Sequence, residues 1–174
     1  TGVQTCALPI FVGVGIDIAK DGLLVAAKNY ESKIWIVGDL AEAPFKDKSF
    51  HIILNILSPA NYREFKRLLK EGGIVIKVVP QSDYLKELRE YVFDDLHKKK
   101  YSNENTVARF YEEYTFIDHS RLTYCVTLKK EFLPSFIEMT PLTWNVSKEK
   151  LTNFLQNEAV KMTVDFDILI GKFE

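Results

Sequence analysis

The sequence has little of what marks several protein classes. It holds only two cysteines, Cys6 and Cys125, far apart and with no CxxC or CxxH neighbour, so neither a disulfide framework nor a zinc site is implied. No apolar run reaches the length of a membrane span and nothing reads as a secretory signal, so a cytoplasmic protein that makes no use of a membrane is expected. Neither sign of charge dominates. With 23 basic and 24 acidic residues the net charge is −1, which leaves no global field to draw nucleic acid or an anionic surface; any such contact must be local. A glycine-rich dinucleotide fingerprint is missing too: Gly13 and Gly15 lie inside an apolar run, whereas that motif needs them after a strand and opening a helix.

At 174 residues and 47% hydrophobic, the chain is long enough for one domain with a real core and too short for two of ordinary size. Its organising stretch is Phe11 to Asp39, FVGVGIDIAKDGLLVAAKNYESKIWIVGD. Phe11 to Ile18 is rich in Val and Ile, as a strand buried on both faces of a parallel sheet requires, with Asp17 at its carboxyl end. Ala19 to Tyr30 carries Leu23, Ala26 and Ala27 at helical spacing; Ile34 to Val37 is a second apolar strand, followed by Gly38 and Asp39. Ligands of open α/β sheets bind beyond the carboxyl ends of the strands, so Asp17 and Asp39 are expected to line one crevice and suit a nucleoside, one acid accepting ribose hydroxyls and the other the amino group of an adenine. Either acid alone is as well explained as a helix N-cap; the pair, spaced around a helix, carries more.

Ser49 to Ile56 reads as the next strand, with Asn55 at its end and Leu57, Ser58 and Pro59 leaving the sheet. Tyr62, Phe65, Leu68 and Leu69 recur at helical spacing until Gly72 and Gly73, and Ile74 to Val79 is a strand closed by Pro80. Asp83 to Leu96 reads as an amphipathic helix and His97 to Asn105 as a polar surface loop, whose Lys98, Lys99 and Lys100 face water more readily than phosphate. Thr106 to Tyr114, Leu133 to Met139 and Lys148 to Asn157 look helical. Arg121 to Lys129 and Met162 to Phe173 read as two late strands, expected to pair antiparallel. Thr1 to Ile10, TGVQTCALPI, fits none of this and resembles the translation of a sequencing adapter; we expect residues 1–10 to be non-native and 11–174 to be a domain continuing upstream.

The spacing of GID, GD, APF, SFHIIL, LLKEGG and VVP resembles a class I S-adenosylmethionine-dependent methyltransferase. The patches GIDIAKDGLLVAAK, NILSPANYREFKRLLKEGG and PQSDYLKELREYVFDDLH, with the tail pair MTPLTW and VDFDILI, resemble the large-subunit ribosomal RNA (guanine-N1)-methyltransferases more narrowly. The resemblance implies an α/β, Rossmann-like sheet, mostly parallel with an antiparallel C-terminal strand pair. It implies S-adenosyl-L-methionine as cofactor and large-subunit ribosomal RNA as partner. Asp17 and Ile18 then lie at the cofactor ribose, Asp39 and Leu40 at its adenine, and Tyr84 near the cofactor where the family usually has His. Asn55, Ser58 and Pro59 fall beside the transferred methyl and target base. His51 stands where the family more often has Asp and reads as structural or surface. The family's first strand, its glycine-rich loop and a four-cysteine zinc module belong upstream of Phe11, so zinc enters only through that module; without the first strand, a central one, the chain as written is expected to expose strand edges, to be unstable or aggregate, to bind cofactor poorly and to be inactive. A flipped base needs an aromatic platform, for which Tyr62, Phe132 and Trp144 are candidates, each more often core. A small-molecule methyltransferase and a non-catalytic RNA-binding or interaction module are the rival readings.

Overall fold

The structure is a computed structural model that describes residues 12–93 and 101–174. The segment expected to be foreign and the run Lys98–Lys100 lie outside the described residues. The chain divides into two compact units, one of residues up to Ser49 with Asn61–Leu68, the other of Phe50–Ala60 with Leu69–Glu174.

The first unit contains β1 (Val14–Asp17), α1 (Lys20–Asn29), β2 (Ile34–Val37) and α2 (Tyr62–Leu68). The two apolar runs pair in parallel, from Val14 opposite Ile34 to Asp17 opposite Val37. Gly15 is a packing requirement: a Cβ there would lie 2.3 Å from the Trp35 ring, which crosses it from the partner strand. That accounts for a strand glycine without any phosphate. α1 buries Leu23 and closes with the Tyr30 N–H on the Ala26 carbonyl. α2 carries the buried Glu64, which accepts from the Ala43 N–H at 2.9 Å and from Arg67, while Arg67 donates to the carbonyls of Ala43 and Phe45 and to Asp47. Two ion pairs meet at Arg67, one to Glu64 within α2 and one to Asp47 that with the backbone bonds ties the loop Ala43–Asp47 to α2, and the guanidinium holds the Glu64 carboxyl below its ordinary range despite burial.

The second unit contains β3 (Phe50–Ile56), β4 (Leu69–Pro80), α3 (Lys86–Val92), α4 (Glu104–Glu113), β5 (Thr115–Lys129), α5 (Leu133–Met139), α6 (Lys148–Phe154) and β6 (Ala159–Lys172). Its sheet runs β3-β4-β6-β5, with β3 parallel to β4 and β6 antiparallel to both neighbours. The mixed α/β sheet with an antiparallel C-terminal pair is the one expected. A core of Leu85, Leu88, Val92, Leu133, Ile137, Phe154 and Met162 gathers the short helices against the far half of the β5–β6 hairpin. α4 lies against Gly171, where a Cβ would come within 2.6 Å of Tyr114 and 2.9 Å of Phe110.

Several boundaries differ from those expected. α2 ends at Leu68 because Leu69 already pairs with Phe50, and β4 runs through Gly72, whose φ of 72° only glycine adopts cheaply. α3 starts at Lys86, since the Asp83 N–H is drawn to the Asp165 carboxylate and the Tyr84 N–H to the Gln81 carbonyl. β5 begins six residues before Arg121 as a solvent-facing edge strand. Among the described residues β4 is the only strand beside β3, and Ile52, Leu54 and Ile56 along one face of β3 are 45%, 63% and 59% exposed.

Candidate functional site

In the first unit the two acids stand at the carboxyl ends of adjacent parallel strands, Asp17 as the last residue of β1 and Asp39 two residues beyond β2. Both are exposed, as is Ile18, and Leu40 is half-buried. Each uses one oxygen locally: Asp17 Oδ1 accepts from the Ala19 N–H at 2.8 Å, and Asp39 Oδ1 accepts from the Ala41 N–H at 2.7 Å. These are local turn bonds to the N–H two residues on, not the helix N-caps that either acid alone suggested: the N-cap of α1 is Ala19, and no helix follows Asp39 directly. In each the second carboxylate oxygen has no hydrogen bond among the described residues. The local bonds fix both side chains and leave one acceptor apiece at the edge where α/β sheets take their ligands, an acceptor set that fits the hydroxyls and amino group of an adenosine moiety.

In the second unit the turn after β3 is tightly bound. Asn55, at 4% exposure, donates from Nδ2 to the Pro59 carbonyl at 3.3 Å. Lys77, on β4 directly opposite Asn55, donates from Nζ to Asn55 Oδ1 at 2.5 Å and to the Ser58 carbonyl at 3.1 Å. The Leu57 N–H closes onto the Val78 carbonyl, and Leu57 itself sits at φ 52°, a left-handed conformation that a branched residue adopts only when its surroundings insist. Both ends of the Asn55 amide are therefore committed to the protein, Pro59 is exposed, and the half-buried Ser58 hydroxyl makes no hydrogen bond among the described residues. Burial pushes the Lys77 amine below its ordinary pKa, and among the described residues no carboxylate pairs with it.

Sequence reasoning also missed a network on the same face of that sheet. Asp165 accepts from Arg121 Nε at 2.8 Å and Nη2 at 2.7 Å, from the Thr123 hydroxyl at 2.7 Å and from the Asp83 N–H at 3.0 Å. The guanidinium holds its carboxyl down at about 2. Asp167 accepts from Gln81 at 3.0 Å and Asn103 at 2.8 Å and lies 3.3 Å from His119 Nε2. The only signal for this set was the alternation in VDFDILI. Tyr84 packs its ring on Phe166 with centroids 5.1 Å apart, and burial raises its hydroxyl pKa. His51 is exposed and 3.2 Å from Lys70 Nζ. Of the aromatic platforms considered, Tyr62 is core, whereas Phe132 and Trp144 are 56% and 70% exposed. Among the described residues no cluster of three or more His, Cys, Asp or Glu could hold a metal, and no helix is long and apolar enough to cross a membrane.

Comparison with known proteins agrees with this architecture. Residues 1–77 match the family model described as "Methyltransferase domain". A crystal structure described as "a putative methyltransferase" from Bacillus halodurans superposes with a TM-score of 0.53 at 16% identity, over 91% of this chain and 81% of that one. The first 77 residues thus match a methyltransferase domain, and the chain shares the α/β fold of that solved structure. Curated relatives narrow the likeness. The chain is 44% identical over 160 residues to the "Putative 23S rRNA (guanine-N(1)-)-methyltransferase" of Bacillus subtilis, covering 92% of this chain and 57% of that protein. It is 24% identical over 140 residues to the "23S rRNA (guanine(748)-N(1))-methyltransferase" of Streptomyces fradiae, covering 80% of this chain and 50% of that protein. The chain thus spans about half the length of the curated relatives it matches.

Proposed function

We propose that the protein, acting in the cytoplasm, transfers a methyl group from S-adenosyl-L-methionine to N1 of a guanine in large-subunit ribosomal RNA. The observation that carries the cofactor half is the pair of carboxylates, Asp17 and Asp39, ending adjacent parallel strands with one oxygen each left over. The RNA half rests on the two relatives named for that reaction and on the sequence patches shared with that family.

Asp17 accepts the ribose hydroxyls with Ile18 beside it, Asp39 accepts the adenine amino group against Leu40, and Tyr84 lines the cofactor. Asn55, Ser58 and Pro59 shape the turn that meets the target base. When bound, S-adenosyl-L-methionine supplies an electrophilic methyl on a sulfonium whose thioether is already a good leaving group. The protein's contribution is therefore chiefly proximity and orientation. The guanine N1 proton must leave as N1 attacks, so an acceptor within hydrogen-bond reach completes the chemistry. With its amide committed at both ends, Asn55 serves this turn by shaping it, and the Ser58 hydroxyl is the polar side chain left to meet the base edge.

The test is to delete the gene, map 23S rRNA for a lost reverse-transcription stop at a guanine, and restore it with the intact protein. A lost and restored stop supports the reading. An unchanged stop pattern, together with methyl transfer to a small molecule by the purified protein, replaces it with the small-molecule alternative.

A further inference from the structure

Lys77 breaks the pattern of its strand. It interrupts the run Ile74, Val75, Ile76, Val78, Val79, its residue is only 3% exposed, and no carboxylate among the described residues offsets its charge. A buried amine in such a strand is costly, and neither of the groups it meets is an acid. Both belong to one short turn: Asn55 Oδ1 at its start and the Ser58 carbonyl three residues on. Asn55 in turn holds the Pro59 carbonyl. The amine and the amide form a two-part clamp that draws the carbonyls of Ser58 and Pro59 inward and keeps Leu57 in its left-handed conformation. A turn folded this way has committed the carbonyls of Ser58 and Pro59 and the Asn55 amide, and keeps one polar side chain, the Ser58 hydroxyl, in reserve.

We propose that Lys77 is a positioning residue of the methyl-transfer site, acting through Asn55 and the Ser58 carbonyl to hold the turn Asn55–Pro59 in the strained form that presents the Ser58 hydroxyl to the base. This rests on the functional reading given above for that turn. A site held by buried supporting bonds loses rate when the support goes, even though the support touches no reactant.

Two measurements separate the claims. On the chain itself, hydrogen exchange of the Leu57 amide, which bonds the Val78 carbonyl, is compared between wild type and Lys77→Met. The clamp predicts at least tenfold faster exchange at Leu57 with the central β4 amides unchanged; equal exchange at Leu57 overturns it, whatever the substrate. In the intact protein, methyl transfer is measured for Lys77→Met, Asn55→Ala and the double variant, with S-adenosylhomocysteine affinity alongside. Lys77→Met should lower kcat about tenfold to a hundredfold with KM and S-adenosylhomocysteine affinity within twofold, and the double variant should lose clearly less than the product of the two single losses, because part of the action of Lys77 runs through Asn55. Multiplying effects, an unchanged kcat, or a fall that only tracks cofactor affinity overturns the proposal. If wild type transfers methyl to a substrate other than guanine, the guanine reading fails while the cycle still tests the clamp on that substrate. Should Lys77→Met not fold, Asn55→Asp keeps an acceptor for Lys77 while losing the donor to Pro59; it predicts a folded protein with the same kcat loss, and full activity in it refutes the clamp.

Discussion

Replacing Arg121 by Leu is the sharpest test of how the second unit is held together. Arg121 gives Asp165 two hydrogen bonds of 2.8 and 2.7 Å, and the residue it serves is fully buried. Without the guanidinium the carboxylate keeps only the Thr123 hydroxyl and the Asp83 N–H. Removing one partner of a buried pair costs roughly 3–5 kcal/mol; Arg121 is itself half-exposed, so water recovers part of that and we expect about 2–3 kcal/mol at pH 7. The pH dependence identifies the cause. The Asp165 carboxyl is held down from an ordinary 3.8 to about 2 in the folded protein by the Arg121 guanidinium, a difference worth roughly 2–3 kcal/mol. A carboxyl depressed on folding contributes stability that is complete above its unfolded value and is lost as pH falls through its folded value. The gap between wild type and variant should therefore be widest above pH 4 and close between about pH 4 and pH 2. Urea unfolding followed by circular dichroism at pH 7, 5, 4 and 3 measures it. A gap below about 0.5 kcal/mol at pH 7, or one that stays constant as pH falls, refutes the reasoning.

Gly171→Ala should destabilise by roughly 1–3 kcal/mol, because its Cβ would meet Tyr114 and Phe110 of a packed helix edge; a midpoint within error of wild type contradicts that contact. Glu64→Leu should cost roughly 1–3 kcal/mol by leaving the Arg67 Nε–H and the Ala43 N–H without their acceptor, and proteolysis within Ala43–Asp47 should quicken, which limited digestion detects. The Glu64 carboxyl is depressed on folding, so this penalty should shrink in acid as wild type also loses the charge. Gly15→Ala should disturb Trp35, visible as a fluorescence shift, since an added Cβ overlaps the ring.

The first unit was legible because its signals are local. Val- and Ile-rich runs specify the parallel pair, and the acids that follow need no tertiary information to be placed at its carboxyl edge; the burial on both faces expected of these strands is not found, since no residue of β1 or β2 is buried and Ile34 and Val37 are 52% and 53% exposed. The polar network of the second unit was not. In VDFDILI alternation suggests apolar residues inward and acids outward, yet Asp165 and Asp167 are both buried, because the Gln81–Asp83 turn, Asn103 and β5 supply enough donors to bury them. The early part of β5, TFIDHS, carries no apolar periodicity because it is an exposed edge, and its pairing with β6 alone makes it a strand. Lys77 was hidden for the same reason: its partners, Asn55 and Ser58, lie about twenty residues away, and only the parallel register of β3 and β4 brings them together.

The claim on which the rest depends is that the acids closing β1 and β2 grip an adenosine. Calorimetric titration of the intact protein with S-adenosylhomocysteine, wild type against Asp17→Ala, tests it most directly. Losing a charged acceptor of the ribose hydroxyls should weaken binding about tenfold to a hundredfold, in line with roughly 1.5–3 kcal/mol for hydrogen bonds to a charged group. Equal affinity in the two proteins would contradict the account.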